Sequence, residues 1–535
     1  MTQPDDGPPG EGRTAGSPAV SQWFLTADER GNSSTLLDRR HPQGLAWSTG
    51  NQVRALVHGA VYFAELLAAV QRMGRGDLLL FTDWRGDPDE RLGGPGTEVG
   101  AVFAAAARRG VVVRGLVWRS HLDRFQFSAT ENRAMGDEID AAGGQCLLDM
   151  RVRPLGSHHQ KLVVLRHCDD PERDIAFIGG IDLCHSRNDD ATHSGDPQSQ
   201  AMAAVYGPRP PWHDIQLAVQ GPAVGDAETV FRERWDDRSP LSRSPLRLIG
   251  DLVHRETRTA RPLPPRLPDP APRGLDAAQI LRTYPARHRG YPFAPRGERS
   301  VARAYRKALT NARSLVYVED QYLWSGDVAQ VFAEALARAP ELRMIIVIPR
   351  FPDQDGRASL PPNLLGRATA LRLLRAAGGP RVAVYGLDNE AGTPVYVHAK
   401  ACVVDDTWAC VGSDNANRRS WTHDSELSCA VISTGADISH ARSLRLELAR
   451  EHLGANSQSG DLTDPVETFE LFRRTAADLD SWVSSGRRGP RPTGQLRTYT
   501  QAALSRWTRL WAAPLYRVLY DPDGRPARMR LEHRF

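Results

Sequence analysis

One short pattern occurs twice in this chain, and a pattern repeated with its flanking strands commits the chain to folding the same unit two times. Residues 397–415 read VHAKACVVDDTWACVGSDN. His398 and Lys400 are two apart, so an extended strand turns both side chains to one face and Ala399 and Ala401 to the other. The apolar run 402–404 carries the strand into a core and Asp405-Asp406 turns it. Residues 408–411 then return to a polar corner, Gly412-Ser413-Asp414-Asn415. Residues 157–182, SHHQKLVVLRHCDDPERDIAFIGGID, repeat the order: His159 and Lys161, an apolar strand, a polar turn, a second strand, then Gly179-Gly180. His398 lies 14 residues before Gly412 and His159 lies 20 before Gly179, so the first copy holds six more residues. The turn 166–174 is where such an insertion costs least.

The residue types point to phosphoryl chemistry. An imidazole can attack phosphorus or protonate a leaving oxygen. An ammonium neutralises phosphoryl oxygens, and the Gly-Ser-x-Asn and Gly-Gly corners offer hydroxyl, amide and backbone donors. A single His-x-Lys is ordinarily an accident of a sheet edge. Here the chain has three lysines, Lys161, Lys307 and Lys400, among 68 basic residues, and two of the three sit in the repeats. A compact ammonium differs from a planar guanidinium at a phosphoryl group, so arginine elsewhere and lysine here reads as selection for that site. No Asp/Glu/His/Cys cluster at metal-ligand spacing accompanies the pairs, and the expectation is no metal and no cofactor.

His159-x-Lys161 with Gly179-Gly180, and His398-x-Lys400-x4-Asp405 with Gly412-Ser413-x-Asn415, resemble the paired HxKxxxxD motifs of the phospholipase D superfamily. The stretches FIGGIDLCHSRND (177–189), PWHDIQLAVQGPAV (211–224), FRERW (231–235) and VYVEDQYLW (316–324) resemble its lipid-acting branch, and the likeness extends over roughly residues 75–435. The resemblance implies an α/β fold: two similar α-β-α sandwich lobes related by internal duplication, with the active site at their interface. It implies a phosphodiesterase that hydrolyses or transphosphatidylates glycerophospholipids through a phosphohistidine. His159 is then the nucleophile, His398 the acid and base, and Lys161 and Lys400 neutralise the non-bridging oxygens. Asp405 is the second motif's aspartate, and Gly179, Gly180, Ser413 and Asn415 bind phosphate. Asp214 and Glu426, each just ahead of an apolar strand, resemble the acids that orient the histidines. Two departures stand out. Arg166 occupies the first motif's aspartate position, leaving Asp169, Asp170, Glu172 or Asp174 to fill it, and Asp182 stands where the second copy has Asn415. The alternatives are a cardiolipin-synthase-like phosphatidyltransferase, a nuclease or other phosphodiesterase of the superfamily, and a non-catalytic binding module.

Hydrophobic periodicity predicts a first lobe over 46–250. It has a helix over 52–72, strands at 77–84 and 111–118 about a helix at 96–107, and a closing helix at 223–235. Trp84, Arg85 and Asp87 are candidates to line a cleft. A segment over 252–298, with six prolines at 261–273, reads as a linker. The second lobe spans 299–435 and a C-terminal helical extension 436–535, with helices at 439–452 and 464–482 and a hairpin around 521–524. The Gly/Pro-rich residues 1–20 read as a disordered tail. A net charge of +4 does not demand nucleic acid, and no run of 18 apolar residues occurs. Six dispersed cysteines suit a reduced compartment. The expectation is a cytoplasmic monomer meeting phospholipid peripherally, without a transmembrane segment.

Overall fold

The computed structural model describes residues 20–120, 129–242, 259–356, 360–435, 438–502, 504–532 and 534–535. The tail expected to be disordered lies outside these residues but for its last one, as does the start of the expected linker at 252–258. The first copy runs β1 (Ser48–Val57), α1 (Gly59–Gln71), β2 (Leu78–Asp83), α2 (Val99–Arg108), β3 (Val112–Trp118), α3 (Ala129–Ala141) and β4 (Gln145–Asp149). The hairpin β5 (Leu162–Arg166) and β6 (Ile175–Gly179), the short β7 (Trp212–His213), β8 (Ile215–Gln220) and α4 (Ala223–Trp235) complete it. The second runs β9 (Asp276–Tyr284), β10 (Glu298–Arg299), α5 (Ser300–Asn311), β11 (Leu315–Asp320), α6 (Gly326–Arg338), β12 (Arg343–Val347), α7 (Leu360–Gly378) and β13 (Val382–Asp388). It continues through β14 (Pro394–Val397), β15 (Lys400–Val404), β16 (Trp408–Gly412), β17 (Glu426–Ser433) and α8 (His440–Leu453). Then come α9 (Pro465–Ser484), β18 (Leu496–Thr498), α10 (Arg506–Leu515) and α11 (Ala527–Leu531).

Strand order makes the duplication explicit. One sheet is ordered β4-β3-β2-β5-β6-β8-β1 and the other β13-β12-β11-β15-β16-β17-β9. In each, the first three strands are parallel and the rest antiparallel, position for position. The sheets meet where β1 pairs antiparallel with β9, at Ser48↔Ala278 and Asn51↔Asp276. Side chains alternate as a two-residue period requires. Leu78 and Leu80 of β2 join a core shared by both copies, whereas Leu79 and Phe81 join the outer core under α1 and α2. Leu315 and Tyr317 of β11 face the shared core, and Val316 and Val318 face α5 and α6. Strands covered on both faces are apolar along their length, as these are.

Three expectations are corrected. Residues 52–57 extend β1 rather than open a helix. Gln52 to Val57 pair with Gln220 to Ile215, and that ladder overrides the helical spacing of Val53, Leu56 and Val57. The expected linker contains a full strand of the second sheet, because β9 pairs with β17 from Asp276↔Ser433 to Thr283↔Glu426. Its buried Gln279 and Arg282 hid it among polar residues: Gln279 accepts from Leu25 N at 3.0 Å and Arg282 pairs with Glu298 at 2.7 Å. No hairpin forms at 521–524. Ser505 caps α10 through Thr508 N at 3.0 Å, and the Tyr516 hydroxyl lies 2.8 Å from Asp521, so the segment is helix, turn, helix.

Candidate active site

Each motif histidine is delivered by a parallel bridge to the opposite copy. β14 pairs with β7 at Tyr396↔Trp212 and Val397↔His213, and His398 N donates to His213 O at 2.7 Å. His158 bridges Ser425 in the same sense, and His159 N donates to Ser425 O at 2.9 Å. In both halves, therefore, the residue before the histidine lies beside the residue before the other half's acid. That register exchanges the acids across the interface. Asp214 Oδ2 lies 2.6 Å from His398 Nδ1, and Glu426 Oε2 lies 2.9 Å from His159 Nδ1. A tryptophan walls each imidazole: the Trp212 ring lies 4.9 Å from that of His398, and Trp84, stacked on Trp118 at 5.6 Å, meets His159 edge-on at 6.1 Å.

Burial and the lysines keep both imidazoles neutral. Burial first, then Lys161 and Lys400, hold His159 well below its ordinary value. Burial and Lys400 push His398 down to about 3, against the pull of Asp214. Lys400 perturbs His159 and Lys161 perturbs Lys400, so the two pairs share one electrostatic site. The orienting acids differ. Although burial raises Asp214, His398 and Lys400 bring it to about 2. Burial and the neighbouring Asp424 lift Glu426 to about 8.

The lysines are held differently too. Lys161 Nζ lies 3.1 Å from Asp182 and donates to His159 O at 3.0 Å. Although burial raises it, Lys161 holds the Asp182 carboxyl far below the usual carboxylate range, and burial with Asp182 beside it drives Asp83 far above. Lys400 instead donates to the neutral Gln321 at 3.2 Å, and burial with Lys161 nearby lowers it to about 8.

Several expected phosphate-binding and catalytic groups have other work. Ser413 Oγ donates to Glu426 at 2.6 Å and accepts from Leu427 N at 3.0 Å, so it fixes the acid rather than offering a free hydroxyl. Gly180 N donates to Ile215 O at 3.0 Å, and a Cβ there would lie 2.2 Å from Asp214 Oδ1, so that glycine makes room for the acid. A Cβ on Gly179 would lie 2.5 Å from Gln216. Asn415 is buried with Oδ1 unpartnered. Asp405 is not beside the imidazole. It sits in the turn at the far end of β15, accepting from Arg313 N at 2.7 Å and from Ser314 N and Leu315 N at 2.9 Å, which ties the hairpin to the start of β11. In the first copy the tie runs the other way: Asp77, at the start of β2, accepts from Cys168 N in the hairpin turn at 3.0 Å. The missing aspartate is thus supplied from the central strand. None of the four acids proposed for Arg166's position takes that role; Asp174 pairs with Arg166 itself at 2.7 Å. Arg85 and Asp87 pair with each other at 2.8 Å.

Sequence reading passed over Gln321 and Asp83, and also six groups behind the site: His58, His193, His213, Glu319, Glu451 and His452. Their one signal is a charged or imidazole residue inside an apolar run, as in PWHDIQL and VYVED; their separation in the chain hides that they meet.

Comparison with known proteins finds relatives along most of the chain. The Phospholipase D family profile matches residues 89–260, and that of the cardiolipin synthase, PLD-like domain matches residues 305–443. Phospholipase D alpha 2 of Oryza sativa subsp. japonica is 26% identical over 77% of this chain and 65% of its own length. Phospholipase D alpha 1 of Cynara cardunculus is 24% identical over 69% and 60%, and that of Vigna unguiculata 24% over 58% and 51%. The chain thus spans about half to two thirds of these relatives. A crystal structure of phosphatidylserine synthase from Haemophilus influenzae Rd KW20 superposes with a TM-score of 0.49 at 12% identity, covering 82% of this chain and 94% of that one.

Proposed function

We propose, for a chain that belongs to the phospholipase D superfamily, that the paired histidines cleave the headgroup phosphodiester of a glycerophospholipid and pass the phosphatidyl group to water or an alcohol. The observation that carries this reading is the exchanged arrangement itself: two neutral imidazoles, each with Nδ1 held by an acid and each beside a lysine, in one site. As the phosphodiester anion enters between Lys161 and Lys400, His398 takes a proton at Nε2 from water. In the first step a bare Nε2 of His159 attacks phosphorus, the bond to the headgroup oxygen breaks, and the His398 imidazolium gives that proton to the oxygen. In the second, His398 takes a proton from water or an alcohol as its oxygen displaces His159. A phosphate anion between Lys161 and Lys400 offsets their charge, and ionised Asp214 stabilises the imidazolium form that His398 passes through.

Two features favour a lipid surface. A pocket lined by Tyr322, Trp324, Phe351, Asn363 and Tyr396 opens beside Gln321, the partner of Lys400. At its rim, Tyr516 donates to Trp324 O at 2.5 Å, and the adjoining α10 segment exposes Trp507, Leu510, Trp511, Val518 and Leu519 among Arg506, Arg509 and Arg517. An apolar ridge flanked by arginines suits shallow insertion at a headgroup boundary. Among the described residues no helix is long and apolar enough to cross a membrane. Replacing Trp507 and Trp511 by glutamate is expected to lower activity on phosphatidylcholine vesicles about tenfold or more while sparing a soluble short-chain substrate. Equal losses on both would remove the ridge from the reading.

The deciding experiment offers phosphatidylcholine with rising ethanol. Phosphatidylethanol should increase and phosphatidic acid fall while choline release stays level, because alcohol and water compete for one intermediate. Phosphatidic acid alone at every ethanol concentration would argue against a shared intermediate. Cleavage of single-stranded DNA without phosphatidylcholine turnover would move the chain to the nuclease reading. The match of the second half to the cardiolipin synthase profile favours transfer to an alcohol-bearing lipid as a second reading, which phosphatidylglycerol as acceptor would reveal.

A further inference from the structure

Behind the reaction site, three imidazoles converge on one carboxylate. Glu451 Oε2 lies 2.9 Å from His58 Nε2, and Oε1 lies 3.1 Å from His193 Nε2 and 3.3 Å from His213 Nδ1. The three histidines are essentially without solvent contact, and the four coordinating atoms lie within 4.8 Å of one another.

For two of the three rings the far side says where the proton is. His193 Nδ1 faces the Trp212 carbonyl at 3.1 Å, and His213 Nε2 faces Glu319 Oε2 at 2.5 Å. His58 Nδ1 is nearest the Asp214 carbonyl, at 3.0 Å, with the Asp214 N–H farther off at 3.4 Å. Carbonyl and carboxylate oxygens only accept, so His193 Nδ1 and His213 Nε2 carry the hydrogen, whereas His58 Nδ1 meets both a carbonyl and an N–H. In a neutral ring the other nitrogen is then a bare lone pair. The lone pairs of His193 Nε2 and His213 Nδ1 therefore point at a carboxylate that has no hydrogen to give them, and His213 Nδ1 is a buried atom without a hydrogen-bond partner. Two arrangements relieve this. Extra protons on His193 and His213 would put two buried imidazoliums against the two carboxylates, Glu451 and Glu319. One divalent cation among the lone pairs would balance those two carboxylates.

We propose that His58, His193, His213 and Glu451 form a closed four-coordinate site for a divalent transition-metal ion of the zinc class. Imidazole with one carboxylate suits that class, and a metal-ligating histidine ordinarily gives its second nitrogen's hydrogen to a carbonyl or carboxylate, as His193 and His213 do here. Ligand atoms about 2.0–2.1 Å from a tetrahedral zinc stand about 3.3 Å from one another, close to the carboxylate–imidazole distances present. Glu319 orients His213 and also accepts from His452 Nε2 at 2.8 Å. With all four positions filled from the protein, no place is left for substrate, so the ion is structural. Its ligands come from the residue before α1, the 180–211 loop, β7 and α8, and it fastens α8 to the first copy. His213 O accepts from His398 N at 2.7 Å and from Ala399 N at 3.2 Å, so the ion also steadies the strand that presents the second motif.

The test is made on the full chain, purified without a histidine tag and passed through metal-free buffer. Elemental analysis should find about one zinc per chain. Cobalt-grown protein should show the intense visible absorption of tetrahedral cobalt, and prolonged chelation should lower Tm by several degrees, with zinc restoring it. His193→Gln should lose the metal, whereas His398→Ala should keep it. If His193→Gln does not fold, the cobalt spectrum and the chelation cycle of the wild-type chain decide alone. Metal-free protein whose Tm ignores both zinc and chelator would overturn the proposal, as would loss of the metal in His398→Ala with retention in His193→Gln.

Discussion

The two halves of the site have the same backbone geometry and different charge. In the first, the ionised carboxylate is Asp182, against Lys161, and the acid on the histidine, Glu426, holds its proton up to about pH 8. In the second, Lys400 faces a neutral amide and the ionised carboxylate is Asp214, against His398. Each half thus gives its lysine's charge one buried carboxylate, on the lysine in one case and on the histidine in the other. Duplication supplies two superimposable imidazoles, and the placement of a single negative charge separates their roles.

The largest effect tests whether the halves act as one unit. His159→Ala and His398→Ala should each reduce turnover roughly 10³- to 10⁶-fold, and the double substitution should cost little more, because groups serving one reaction path give non-additive losses. Additive losses, or a single variant with appreciable turnover, would mean that the halves work separately.

The acids should then part company. Asp214→Asn removes the ionised partner of His398 and imposes an amide whose NH2 group can favour the wrong tautomer, at roughly 10³- to 10⁴-fold in kcat. Glu426→Gln replaces a group that is already a neutral donor at pH 7, and about tenfold is expected. The pH profile carries the sign. Below about pH 8 the Glu426 proton lies toward His159 Nδ1, so the neutral ring keeps its own hydrogen on Nε2. Above it, the carboxylate takes the Nδ1 hydrogen and Nε2 is bare. If His159 is the nucleophile, kcat/KM rises toward pH 8 in the wild type and this limb vanishes in Glu426→Gln. A limb that falls there instead, and also vanishes, would make His398 the nucleophile.

How much of this was legible depended on distance along the chain. The duplication and both His-x-Lys pairs could be read because each is local: a two-residue period and a strand-turn-strand order. Asp214 and Glu426 were visible as acids ahead of apolar strands, but not their exchange, which is a property of the bridges at His158↔Ser425 and Val397↔His213. β9 was missed because a buried strand can carry Gln279 and Arg282 when Leu25 and Glu298 lie opposite. Asp405 was misplaced because a spacing that matches a motif does not say which end of a strand a side chain serves. The imidazole cluster was invisible, since its members come from four separated segments.

The smallest effect exchanges the lysine partners. Asp182→Asn gives Lys161 the kind of neutral neighbour that Lys400 has in Gln321. Both members of the present pair are about 1% exposed, so the substitution leaves a buried ammonium without its anion, and breaking a pair of this kind typically costs about 3–5 kcal/mol. A bound phosphate can replace the lost carboxylate. The variant should therefore melt lower than the wild type and recover most of the difference in inorganic phosphate. Its KM for a soluble phosphodiester should fall a few-fold, since the substrate no longer competes with Asp182 for Lys161. kcat should fall by a similar factor, because Asp182 also raises His159, and without it the imidazole is a weaker base. The two changes nearly cancel in kcat/KM, so the constants must be measured separately. A KM that rises would mean that Asp182 orients Lys161 rather than competing for it, and the division of charge between the halves would then be structural rather than catalytic.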